Sequence, residues 1–315
     1  MARYLLRRIA LMALTLLITS VLVFALTQLL PGDVARLILG REARPEALEN
    51  LREELGLNAP VPEQYINWLT GFVSGDWGTS FIGGSAPIRP LVLDRLGNSM
   101  RLAALAMIIS VPISIALGII AGLYENRWPD SLISVLTLSV VGLPEFVTGL
   151  VLINVFALGF GWFPASSAPP SGAGLGDWLR QLTLPALAAT FVLMAYIVRM
   201  TRAGVIDELK KPYVRTAILK GLPQRQVILK HVLRNALLPT ITVIALSFGW
   251  LIGGLIVIEN VFSYPGLGRL MTTAVERKDI PLMQAVVMVT IFFFALANLT
   301  ADLLYALLNP RIRLE

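Results

Sequence analysis

Apolar residues in this 315-residue chain fall in long runs, not in alternation with polar ones. Six stretches reach the roughly 20 residues that a helix needs to cross a bilayer: Ile9–Leu30, Met100–Leu123, Leu132–Leu158, Leu182–Met200, Leu237–Ile258 and Leu282–Leu308. Pro, Gly or charge clusters separate each run from the next. The pattern predicts an all-α polytopic membrane protein with six transmembrane helices. Shorter helical periods lie between the first two runs. Pro45-Glu46 opens one helix, because Pro suits the first turn and an acid suits the positive helix end. Leu48, Leu51 and Leu55 share its face, and Gly56 ends it. Ala59-Pro60-Val61-Pro62 reads as a turn. Gln64–Phe72 reads as a second short helix, with Tyr65, Trp68 and Leu69 on one side. GDWGTSFIGGS at 75–85 is Gly-rich, but no Gly-Lys-Ser/Thr follows it, which excludes a P-loop.

Composition agrees with the run pattern. Charged residues make up 15% of the chain and apolar residues 56%, and the mean hydropathy is +0.74. A soluble domain carries roughly 25% charge, so soluble, disordered, collagen-like and coiled-coil readings all fail. The chain has no Cys, which excludes disulfides, thiolate metal sites and Cys nucleophiles. His231 is the sole His, leaving no His cluster for a metal. Arg7 and Arg8 precede the first run as in a secretory signal. That run is about 22 residues long, and no small-x-small cleavage pattern precedes Pro31-Gly32-Asp33, so a retained helix is expected. With the N-terminus in the cytoplasm, the inner segments hold 15 basic residues against five acids, and the outer segments 11 against 13. This bias favours an N-in, C-in orientation. Three blocks follow: a tail and first helix (1–30), an extracytoplasmic segment (31–98), and a core (99–315) with a cytoplasmic loop at 201–235. The pI near 9.8 reflects the inner loops. No aromatic-basic stripe points to nucleic acid.

The stretch 199–235, RMTRAGVIDELKKPYVRTAILKGLPQRQVILKHVLRN, carries nine basic residues. Such a loop usually faces lipid headgroups or solvent, yet this one is patterned. Tyr213, Ala217 and Lys220 lie at helical spacing, Gly221-Leu222-Pro223 breaks the chain, and a second helix starts near Pro223. Val227, Ile228, Val232 and the 233–238 run give that helix an apolar face. Two short helices at a Gly corner form a rigid projection suited to passing force from a soluble partner to a membrane helix.

Here the chain resembles the membrane subunits of ATP-binding-cassette (ABC) importers, whose cytoplasmic signature is Glu-Ala-Ala, three residues, then Gly. Aligned on Gly221, this chain has Arg215-Thr216-Ala217 at the Glu-Ala-Ala positions, and HVLRNALLP at 231–239 is similar to the ending of the dipeptide/oligopeptide/nickel branch. RYLLRRIALMALTLL, LLPGD at 29–33, LREELGLNAPVPEQYINWL at 51–69, GDWGTS at 75–80, IENVFSYPGLGRLMTTAVERKDIPLMQA at 258–285 and DLLYALLNPRIR at 302–313 resemble the same branch in the same order. Val34 departs from it, where Pro is common after Gly-Asp. The resemblance implies a type I importer permease in the inner membrane of a prokaryote, moving di- or oligopeptides. It implies a second homologous permease, two cytoplasmic ATPases that bind ATP and Mg, and an extracytoplasmic binding protein. It implies no cofactor or catalytic residue in this chain. It also places Tyr213, Arg215, Thr216, Ala217, Lys220, Gly221 and Leu222 against an ATPase. Nickel chelates, glutathione, opines or oligosaccharides are alternative cargoes. An ion-gradient transporter would show paired broken helices in repeated halves, and no such repeat is present. A membrane-embedded hydrolase would need paired acids, whereas Glu145 and Asp302 sit at different depths.

An ionisable residue inside a span is costly and marks a candidate site. Glu145 follows Gly142-Leu143-Pro144, which should loosen the third span. It is expected either to face the path and meet the amino group of a peptide or other cation, or to serve as a structural ion pair or protonated carboxyl. Ser247, Trp250 and Asn260 are further path candidates. Asp302 is expected to pair with an inner Arg, and Arg101 to snorkel at the outer surface. Gly118/Gly122 and Gly249/Gly253 permit close helix packing, within this bundle or, for the second pair, at the seam with a partner permease.

Overall fold

A computed structural model describes residues 2–29, 43–54, 56–82, 86–168, 172 and 174–308. Leu55, most of LLPGD, Val34 and the final NPRIR lie outside the described residues. Helix α1 (Ala2–Gln28) precedes the outer helices α2 (Pro45–Glu54) and α3 (Val61–Ser74). A two-residue hairpin follows, with β1 (Thr79–Ser80) antiparallel to β2 (Ala86–Pro87). The core contains α4 (Ile88–Leu123), α5 (Trp128–Val141), α6 (Glu145–Gly159, π-helical from Ile153) and α7 (Leu175–Leu209). It continues with α8 (Pro212–Leu219), α9 (Gln224–Ala236), α10 (Leu238–Gly254), α11 (Ile256–Val261), α12 (Leu267–Glu276) and α13 (Ile280–Leu308). Proline sits in the first turn of α3, α5, α8 and α10, where its missing N–H would be unpaired anyway.

The two longest helices, α4 and α7, pack against each other along their length. A Cβ on Gly118 would lie 2.5 Å from Thr201 Cβ, and one on Gly122 would lie 2.7 Å from Val205 Cβ. Only glycine lets these backbones come so near. Gly249 and Gly253 on α10 instead face Ala297 (3.2 Å) and Thr290 (3.9 Å) of α13. Both contacts lie within this chain. Leu102, Ala106, Leu184, Ile197, Leu251 and Phe262 form the buried centre. Helix α1 lies on α13, tied at one end by Gln284 Nε2 donating to Thr27 Oγ1 (2.7 Å) and at the other by Arg8–Asp302 (2.8 Å). Asp302 thus has the arginine partner expected of it.

The run boundaries change in three places. The third run is not one straight helix: α5 and α6 meet at 102°. Pro144 has no N–H to donate and drives Leu143 out of the helical region, so the last helical bond of α5 is Gly142 N to Leu138 O (3.0 Å). Among the described residues, four helices are individually long and apolar enough to cross a membrane, or six if the two bent pairs, α5–α6 and α9–α10 (48°), each count as one span. Second, α7 continues past Met200 to Leu209. At 1.5 Å per residue it is about 52 Å long against a hydrocarbon core of about 30 Å, so its end projects and the cytoplasmic loop proper begins at Lys210. Third, α4 begins at Ile88, so the division at 98/99 falls inside a continuous helix.

The outer segment is packed onto the membrane helices. The Tyr65 and Ser20 hydroxyls are 2.8 Å apart, and the Phe24 ring lies 5.5 Å from Tyr65 and 5.7 Å from Trp68. Phe72 stacks on Trp77 at 5.0 Å. Buried Asp279 holds the hairpin, accepting from Ser80 Oγ (2.6 Å) and Phe81 N (2.8 Å).

Candidate translocation cavity and coupling loop

The break at Pro144 opens a cavity of about 700 Å³ between the α5–α6 corner, α7 and α10. Glu145, Ser247 and Trp250 all line it, together with Phe146, Phe191 and Tyr196. Of the lining residues, Tyr196 is 57% exposed and Trp250 42%. Ser247 Oγ is spent on its own helix, donating to Val243 O at 2.7 Å. Glu145 differs: its Oε2 is buried and has no hydrogen-bond partner. Among the described residues it forms no ion pair, so the structural-pair alternative has no partner within them. Asn260 does not reach the cavity. After the turn at Leu255 it sits on α11, with Nδ2 donating to Ile256 O (2.8 Å) and Thr272 Oγ1 (2.9 Å). The geometry therefore assigns it to the α11–α12 corner. Arg101 is held outside by Asn98 Oδ1 (3.0 Å) and by the Trp178 ring, 5.0 Å away.

One residue escaped the sequence reading. Glu259 is fully buried. Ser99 Oγ donates to its Oε1 at 2.5 Å, Arg269 N donates to its Oε2 at 3.0 Å, and Leu267 N donates to Ser99 Oγ at 2.8 Å. The carboxyl thus joins the amino-terminal turn of α12 to α4, where acidic groups are favoured by the helix dipole. The available signal was an acid shortly before Pro265-Gly266-Leu267-Gly268. A Cβ on Gly268 would lie 2.6 Å from Ile256 Cα, so that loop can close over Glu259 only as glycine.

On the cytoplasmic side, α8 and α9 fold as a hairpin. Val214, Ala217, Val227, Val232 and Ala236 bury a small core against Val205 of α7. Gly221 makes the corner with φ +77°. Tyr213 donates to Glu208 Oε1 (2.5 Å) and accepts from Asn235 Nδ2 (3.3 Å). Burial, reinforced by the Glu208 carboxylate, pushes its phenol above the usual value. Lys211 pairs with Glu208, Lys210 with Glu125 (3.0 Å), and Arg202 grips Asp130 at 2.5 and 2.7 Å. Of the proposed coupling residues, Tyr213, Arg215, Thr216, Lys220 and Gly221 are exposed, Leu222 is half-buried, and Ala217 is buried. Ala217, 9% exposed, therefore packs mainly into the hairpin core. Ile218 (56% exposed) and Leu219 (79%) supply an apolar tip absent from the sequence-derived set.

Residues 114–314 match the family described as "Binding-protein-dependent transport system inner membrane component", and residues 1–97 match its N-terminal companion family. Over 313 residues the chain is 40% identical to the glutathione transport system permease protein GsiC of Pectobacterium atrosepticum and to that of Escherichia coli K12, with 99% of each chain covered. In fold it is similar to a chain in the crystal structure of an amino acid ABC transporter with histidines, at TM-score 0.52 and 18% identity, covering 70% of this chain and 94% of that one. The chain belongs to the inner membrane components of binding-protein-dependent transport systems: it is a multi-pass ABC importer permease with the type I fold.

Proposed function

We propose that this permease forms half of the path for short peptides, and that the α8–α9 hairpin couples it to a separate ATPase. The observation that carries this reading is the cavity of about 700 Å³, walled by α5–α7 and α10, with Tyr196 and Trp250 exposed among its lining residues. Its volume falls in the roughly 300–1,000 Å³ range of small-molecule sites. Its open side is the surface that a second homologous permease would cover. Glutathione, the cargo in the relatives' name, is itself a tripeptide, which favours peptides over nickel chelates, opines or oligosaccharides. Two ATPases holding ATP and Mg would engage Leu219 and its neighbours on each permease, and an extracytoplasmic binding protein would deliver the peptide. Proteoliposomes containing the whole complex test this. ATP-dependent uptake of glutathione or alanyl-alanine is expected. Uptake by this chain alone, driven by an ion gradient without ATP, would overturn it.

A further inference from the structure

We infer that Glu145 is the specificity residue of the cavity and binds the ammonium group of the transported molecule; this rests on the path reading above. Among the described residues lining the cavity, Glu145 is the sole carboxylate, and none is Lys, Arg or His. One of its oxygens is buried without a donor. Buried carboxylates elsewhere in the described residues have found donors: Glu259 takes Ser99 and Arg269 N, Asp279 takes Ser80 and Phe81 N, and Glu208 takes Tyr213. A desolvated acceptor left unpaired is destabilising, a penalty that a cationic donor would remove on arrival. The surrounding walls suit such a visitor. Phe146, Phe191, Tyr196 and Trp250 line the same space, and aromatic faces attract ammonium groups as well as apolar side chains. Placing the acid at the first turn of α6, directly after the Pro144 break, fixes it at the corner where the wall bends. The ligand class is thus a small zwitterion or cation with a free amine, such as the amino terminus of a short peptide. Its carboxylate meets no cation among the described residues that line the cavity.

The test compares uptake of glutathione and alanyl-alanine, each with a free or an acetylated amine, by complexes carrying wild-type permease, Glu145→Gln or Glu145→Asp. All use the same binding protein, whose own preference cancels in the ratio between permeases. Glu145→Gln is expected to lower the free-amine to acetylated uptake ratio about tenfold or more, and Glu145→Asp to retain most of it. Membrane yield of each complex reports folding. An unchanged ratio in Glu145→Gln, with wild-type complexes importing peptides, overturns the role of Glu145 alone. Wild-type complexes that import none of the four compounds overturn the peptide reading and this inference together.

Discussion

Gly118 and Gly122 set the separation of the two longest helices, because any side chain there would occupy the space of Thr201 and Val205. Gly118→Leu is expected to destabilise the detergent-solubilised protein by about 1–3 kcal/mol, the usual cost of overpacking. Gly253→Ala, with 3.9 Å to its nearest neighbour, should leave the thermal midpoint unchanged. The spacing of these glycines made them legible in the sequence. Glu259 was not, since its partner Ser99 lies 160 residues away and nothing local announces the pair. Glu259→Leu should strand the Ser99 hydroxyl and the Arg269 N–H and cost about 2–4 kcal/mol by the same melting measurement. Tyr213 is simpler. A phenol raised in the folded state adds stability that is complete below its unfolded value near 10 and is lost as pH rises through the folded value. The hold of Tyr213 on Glu208 is therefore expected to be flat over about pH 6–9. Tyr213→Phe should weaken the hairpin by about 1 kcal/mol, read as faster amide exchange in 210–236.

Helix α6 owes its direction to three residues. Gly142-Leu143-Pro144 was legible as a weak point, but periodicity carries no angle, and the 102° turn emerges only from how α5 and α6 pack on α7 and α11. Pro144→Ala restores a donor and removes the clash with the preceding turn. It is expected to extend α5 toward α6, shrink the cavity and lower uptake at least tenfold, while the subunit still inserts. Normal uptake with Pro144→Ala would show that the break is dispensable. The α7 extension was hidden for a different reason. Its last turns carry Arg202, Asp207 and Glu208, which ended the apolar run although not the helix. Two of these charges are paired outside α7, Arg202 with Asp130 of α5 and Glu208 with Lys211 and Tyr213. Arg202→Met would leave Asp130, whose side chain is 5% exposed, without its cation, at an expected cost of about 2–4 kcal/mol in thermal unfolding.

Across the molecule, the long helices form a frame with two working ends: an open cavity beside Glu145 and a cytoplasmic hairpin keyed into α7. Helix α10 joins them, rising from the hairpin at a 48° bend and lining the cavity with Ser247 and Trp250. In the proposed coupling, α10 is the element through which a push on the hairpin would reach the cavity wall. The run pattern and motif order gave the architecture, whereas the proposed docking surface required coordinates, because Ala217 turns inward and Leu219 outward. The absence of native Cys makes the decisive measurement clean. Single cysteines at Leu219 and Ala217, paired with cysteines on the ATPase subunit in the assembled importer, are oxidised with and without ATP. Cross-linking through Leu219→Cys, little through Ala217→Cys, and loss of ATP-driven uptake once linked are the expected results. Full ATP-driven uptake with Leu219→Cys cross-linked to nothing would contradict the coupling role of the hairpin.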